Sequence, residues 1–90
     1  MKIRELYTDK SKWTQGAFAR DAAGESTRDL GKAVSFCLLE AINYCYSPLE
    51  RPWIYGRLWN RFGYCQILAW NDARGRTFEE VKALVEELDI

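Results

Sequence analysis

Two short stretches concentrate the side chains able to do chemistry. Trp13-Thr14-Gln15-Gly16-Ala17-Phe18-Ala19-Arg20-Asp21-Ala22-Ala23-Gly24 lies near the start of the chain, and Trp70-Asn71-Asp72-Ala73-Arg74-Gly75-Arg76-Thr77 near its end. Each combines tryptophan, glycine, arginine, aspartate and a side-chain amide. Arginine offers a planar fork of donors to carboxylate or phosphate, and aspartate supplies the complementary acceptors. Trp13, Gln15, Arg20, Asp21, Asn71, Asp72 and Arg76 are therefore the candidate ligand-binding set. They would line one pocket for a small anionic metabolite or nucleotide if the fold brings the two stretches together. The competing reading is structural. Arg20 pairs with a carboxylate, Asp21 bonds its own turn, Gly24 takes positive φ, and Asn71 and Asp72 build an Asx-turn before Gly75 with Trp70 in the core.

Catalysis finds little support. The chain has no histidine, which removes the commonest general base and metal ligand. Cys37, Cys45 and Cys65 are odd in number and lack CxxC spacing, so they read as reduced core thiols rather than ligands or disulfides. Cys37 falls on the apolar face of a predicted helix, where a thiol stays protonated and inert. Asp21 and Asp72 are of the right type for a paired-carboxylate site, but such a pair must stand about 5–9 Å apart. No catalytic residue, metal site or cofactor is assigned, and a cysteine or carboxylate enzyme is the least favoured reading.

A third feature is the stretch 51–64. It interleaves Arg51, Arg57 and Arg61 with Trp53, Tyr55, Trp59, Phe62 and Tyr64. Arginine with aromatics suits single-stranded nucleic acid and is equally the composition of protein–protein hot spots. Formal net charge is +0, against the accumulated positive charge that nucleic-acid binding requires. Along the chain the charges separate. Arg51, Arg57, Arg61, Arg74 and Arg76 face Asp72 alone within 51–76, whereas Glu79, Glu80, Glu86, Glu87 and Asp89 outnumber Lys82 within 77–90. Arg51, Trp53, Tyr55, Arg57, Trp59 and Arg61 are thus assigned to a protein partner, either a second copy or a heterologous target. Nucleic acid is disfavoured.

The elements that must position these groups follow from pattern. A 90-residue chain with 48% apolar and 29% charged residues forms one compact domain, 1–90, rather than a disordered segment. Four tryptophans, five tyrosines and four phenylalanines are more than so small a core can hide, so some are expected at a partner surface or pocket wall. Met1-Lys2-Ile3-Arg4-Glu5 runs straight into charge without a signal peptide, and no apolar run approaches the ~18 residues of a membrane span. The expectation is a cytoplasmic protein with no membrane contact. Residues 1–12 read as a helical turn or arm, and 14–28 as a small extended or hairpin segment. Ser26 or Asp29 is expected to cap a helix over 30–46, with Leu30, Ala33, Val34, Cys37, Leu38, Ala41, Ile42 and Cys45 as its stripe and Pro48 beyond its end. Pro52 suits the first turn of a second helix over 52–62, which presents Trp53, Ile54, Leu58, Trp59 and Phe62 on one face and ends or bends at Gly63. Tyr64 to Trp70 is strand or helical turn, and Asn71 to Arg76 a turn. Thr77-Phe78-Glu79-Glu80 is a capping box opening a third helix over 78–89. The fold class is α+β, mainly α, with about three helices.

The spaced patterns W-x-Q-G-x-x-A-R-D-x-x-G from Trp13 to Gly24, A-V-S-x-C-L-L-x-A-I from Ala33 to Ile42, and W-N-D-x-x-G-R-T-x-E-E-V from Trp70 to Val81 resemble a family of small bacterial and phage proteins known only as a domain of unknown function. Members of that family often carry a longer N-terminal helix, and the arginine- and tryptophan-rich 51–64 stretch is not one of its features. The resemblance implies one shared design for the two polar motifs and a phage or bacterial setting; it implies no activity. The expected function is a non-enzymatic protein-binding module, an accessory or inhibitory protein of defence-related type. The alternative is a small-ligand binder with its pocket between the polar motifs.

Overall fold

The computed structural model describes residues 1–62 and 67–90. Among these, five α-helices and a two-stranded sheet follow one another as α1 (Ile3–Leu6), β1 (Ala19–Asp21), β2 (Ala33–Phe36), α2 (Leu38–Cys45), α3 (Arg51–Phe62), α4 (Ile67–Asn71) and α5 (Phe78–Glu87), with a 3₁₀ turn at Lys10–Lys12. The α+β class is as expected, but there are more helices than the expected three. The extra two, α1 and α4, span only four and five residues, too short to show a helical period. No described helix is long and apolar enough to cross a membrane. Gly63, Tyr64 and Cys65, read above as a helix stop, an aromatic of the arginine-rich stretch and a core thiol, lie outside the described residues.

The main correction concerns 30–46. Its first half is not helix but β2, which pairs antiparallel with β1 in the register Ala19↔Phe36, Arg20↔Ser35 and Asp21↔Ala33. The register skips Val34, which turns outward with 44% of its surface exposed. Val34 therefore belongs to no buried stripe, and the apparent helical spacing before Cys37 arose from a bulged strand running directly into a helix. The hairpin's second strand accordingly lies beyond the expected 14–28 segment. Neither Ser26 nor Asp29 caps a helix: Ser26 bridges Arg20, and Asp29 accepts from the Gly31 N–H in a turn. The cap of α2 is Cys37, whose sulfur accepts from the Glu40 N–H at 3.5 Å.

Helix α2 is the centre of the molecule, touching α1, α3, α4 and β2. Its Leu38, Ala41 and Ile42 are buried with Ile3 and Tyr7 from the N-terminal segment, Leu58 from α3, and Val81 and Val85 from α5. Within α3, Ile54 and Leu58 turn inward, while Phe62 is half-buried. Trp53 and Trp59, expected on that same face, are exposed. Helix α5 begins as anticipated, with Thr77 Oγ1 accepting from the Glu80 N–H at 3.2 Å and Glu80 accepting from the Thr77 N–H at 3.0 Å. It ends at Glu87, two residues early, where Asp89 takes a left-handed φ of 55°. The chain then closes on itself. Ile90 is buried, its carbonyl accepts from the Ile3 N–H and the Tyr46 hydroxyl, and Lys2 and Arg4 both pair with Asp89.

The charge separation along the sequence is bridged in part, because Arg61 meets Glu87 at 2.9 Å and Arg76 meets Glu80 at 3.0 Å. Exposed pairs of this kind add little stability each. Hydrogen bonds nevertheless hold four carboxyls below their ordinary range: Ser11 on Asp9, the Ser47 N–H on Glu50, the Thr77 N–H on Glu80 and Lys2 on Asp89. A carboxyl depressed in the folded state stabilises it above the unfolded pKa and loses that contribution as pH falls through the folded one. The urea midpoint is therefore expected to hold between about pH 6 and 8 and to fall steadily below about pH 4.5. A midpoint unchanged down to about pH 3 would show these hydrogen bonds to be absent in solution.

Candidate functional site

The two polar stretches do meet, and the joint is built around Asn71. This residue ends α4 with no exposed surface. Its Oδ1 accepts from the Trp13 indole N–H at 2.7 Å and the Leu38 backbone N–H at 2.9 Å. Its Nδ2 donates to the Thr14 carbonyl at 3.1 Å and to Asp72 Oδ1 at 2.9 Å. One amide thus ties the first motif, the start of α2 and the second motif together. Gln15 adds to the joint, its Nε2 donating to the carbonyls of Asn71 at 2.9 Å and Ala73 at 3.2 Å. The Gly16 N–H donates to Asp72 Oδ1 at 3.2 Å. Gly16 reaches that position with φ 75°, a conformation that favours glycine.

Arg20 and Asp21 are consumed by their own loop. Arg20 Nε donates to Thr14 Oγ1 at 2.8 Å, and its two terminal nitrogens donate to the carbonyls of Gln15 and Gly24 at 3.2 Å each. The guanidinium pairs with no carboxylate among the described residues; it fills the loop with charge-assisted bonds to neutral acceptors. Asp21 Oδ1 accepts from the N–H groups of Ala23 at 2.9 Å and Glu25 at 3.0 Å, and Gly24 takes φ 81° in that turn. Asp21 Oδ1 is thereby occupied within its own turn. Arg76 lies 4.0 Å above the Trp70 ring, donates to the Trp70 carbonyl at 2.9 Å and pairs with Glu80. Trp70 is half-buried, stacked on Phe62. Asn71 and Asp72 build no Asx-turn; Asn71 instead bonds across the fold.

Of the expected pocket set, then, Trp13, Gln15, Arg20, Asp21, Asn71 and Arg76 hold the structure together, and only Asp72 opens to solvent. Beside it lies a cleft of about 380 Å³ lined by Gly16, Ala17, Phe18, Ser26, Arg28 and Asp72, with Leu68 closing one side. Arg28 stands 4.3 Å over the Phe18 ring. Phe18 and Leu68 also wall a second, apolar groove of about 490 Å³ that runs to Leu39, Tyr55, Trp59 and Ile67. Arg28, Phe18 and Leu68 were missed from sequence. Arg28 is a lone cation in a turn outside both motifs, and Leu68 reads as ordinary core within an apolar run.

The arginine-rich helix divides in the same way. Arg51 bonds the carbonyls of Asn43 and Tyr46 at 3.0 Å, capping the end of α2. Arg61 pairs with Glu87, and Tyr55 stacks on Trp59 while its hydroxyl donates to Asn43 at 3.3 Å. Arg57 is exposed. Trp53 is 79% exposed and Trp59 54%, and Leu49 in the turn before α3 is 88% exposed. Cys37 is buried, its thiol pushed by burial up to about 11, and the half-buried Cys45 is raised likewise to about 11. Both stay protonated at neutral pH. No group of metal-ligating side chains converges among the described residues.

The model of a family described as a "Family of unknown function (DUF6197)" matches residues 2–88. The chain belongs to this family. No curated protein and no solved structure shows significant similarity to it. Membership in DUF6197 assigns no activity, so the site has to be argued from its own chemistry.

Truncation at position 71 tests the joint. Asn71→Ala leaves the Leu38 N–H, the Trp13 indole N–H and the Thr14 carbonyl without their partner, and is expected to cost about 3–5 kcal/mol in urea unfolding. Arg20→Ala is expected to cost about 1–3 kcal/mol through its three lost bonds. A loss below about 1 kcal/mol for Asn71→Ala would show the joint to be open in solution.

Proposed function

We propose that the protein is a non-enzymatic binding module that engages a protein partner through the exposed indoles of α3. The observation that carries this reading is the exposure of Trp53 and Trp59 beside a core that closes without them. Leaving two indoles and Leu49 in water forgoes about 1.5–3 kcal/mol for each large side chain that burial would recover. Tryptophan and arginine are also the side chains that dominate hot spots, and Arg57 lies exposed on the same helix. Arg51 leaves the proposed interface, since it is bonded to the end of α2, whereas Arg61 stays on the surface in an exposed pair with Glu87. The partner is a heterologous protein or a second copy. An accessory or inhibitory role in a phage or bacterial cytoplasm is the setting in which such a small module would act.

A second reading has its own observation. Arg28 and Asp72 open to one cleft beside an apolar groove, and concave sites with a few convergent polar groups are the usual form of small-ligand pockets. This reading relocates the pocket from between the motifs to the cleft beside their joint.

Trp53→Ala and Trp59→Ala separate surface from core. Trp53→Ala is expected to shift stability by no more than about 0.5 kcal/mol, and Trp59→Ala, which loses its stack on Tyr55, by about 1–2 kcal/mol without unfolding. Each should also abolish the stoichiometric companion, or the sedimenting dimer, that the native chain forms. Unfolding of either variant would place that indole in the core, and an undiminished complex would remove α3 from the interface.

A further inference from the structure

The cleft holds one group of each sign, and both are available. Asp72 Oδ1 is fixed by the Gly16 N–H at 3.2 Å and by Asn71 Nδ2 at 2.9 Å, while Oδ2 has no hydrogen-bond partner among the described residues. The carboxylate is therefore pre-oriented by a fully buried amide, with one oxygen left to accept. Opposite in charge, Arg28 is held over Phe18 by a cation–π contact at 4.3 Å and pairs with no carboxylate among the described residues. That contact places the charge over the ring, and the guanidinium N–H groups make no hydrogen bond among the described residues, which leaves them to a ligand.

A net anion entering this cleft would meet Asp72, and a net cation would meet Arg28. Both groups are satisfied by a ligand that carries a carboxylate and an ammonium on one carbon atom. Beyond Phe18 and Leu68 the wall becomes apolar, with Leu39, Ile67 and Trp59 in reach of a side chain leaving that head group. We propose that this composite cleft binds a free amino acid with an apolar side chain. Its α-carboxylate lies on Arg28, its α-ammonium on Asp72 Oδ2, and its side chain along the groove toward Trp59. This rests on the small-ligand reading above and replaces the anionic metabolite or nucleotide of the sequence expectation with a zwitterion.

The test is NMR titration of the ¹⁵N-labelled full chain with L-phenylalanine, 3-phenylpropionate, 2-phenylethylamine and N-acetyl-L-phenylalanine. L-phenylalanine should shift the Gly16, Phe18 and Leu68 amides saturably, and the three analogues, each lacking one charge, should bind at least about tenfold more weakly. Asp72→Asn keeps an oxygen for the Gly16 N–H but removes the charge. It should bind L-phenylalanine no better than its N-acetyl form, and Arg28→Gln no better than 2-phenylethylamine. Equal binding of 3-phenylpropionate and L-phenylalanine would overturn the zwitterion while leaving a small-ligand cleft standing. Four probes that leave these amides unmoved would remove the ligand class and the small-ligand reading together.

Discussion

A single buried amide carries the organisation of this protein. Asn71 has four hydrogen-bonding positions on its side chain, and all four are used, on the N-terminal motif, the start of α2 and the neighbouring aspartate. An amide costs a few kcal/mol to bury unpaired and returns a comparable amount when every group is satisfied, so such a residue selects one arrangement over its near neighbours. Any slip of the loop at Trp13–Gly16 relative to α4 would strand several donors at once. The register of the joint is therefore set by hydrogen bonding, while the apolar core around α2 supplies the general drive to collapse.

The density of polar side chains in the two motifs follows from that geometry. A loop that crosses the face of a small domain must satisfy its own carbonyls, and Arg20 and Gln15 do so where a regular sheet would have used backbone. Arg51 performs the same service at the end of α2. Once these side chains are committed, the chemistry left at the surface is small and specific: Asp72 with one unoccupied oxygen, Arg28 above Phe18, and the indoles of α3. A rigid joint beneath Asp72 is what makes its carboxylate a defined feature rather than a mobile surface charge.

Sequence carried the helices with strong local signals. The capping box at Thr77 and the break at Pro48–Pro52 located α5 and α3 to within two residues, because caps and prolines act through neighbouring backbone alone. The β2–α2 boundary was hidden, since Val34 bulges from the ladder and mimics a helical spacing that only pairing with β1 contradicts. The meeting of the two motifs was legible as a conditional, through their shared composition. Their role was not: Arg20 and Asn71 are the same residue types whether they grip a ligand or a carbonyl, and the choice depends on which backbone groups lie within about 3 Å. Arg28 was invisible for the opposite reason, because its partner ring at Phe18 lies ten residues away across a loop.

Native-state hydrogen exchange tests the Asn71 joint most directly. The Leu38 amide and the Trp13 indole N–H both donate to Asn71 Oδ1. If the joint is integral to the fold, both should exchange only through global unfolding, at the same opening free energy as the amides of the α2 core. Exchange of either proton through a local opening several kcal/mol cheaper would show that the motifs dock on a core that stands without them, and the joint would lose its place as the constraint on the fold.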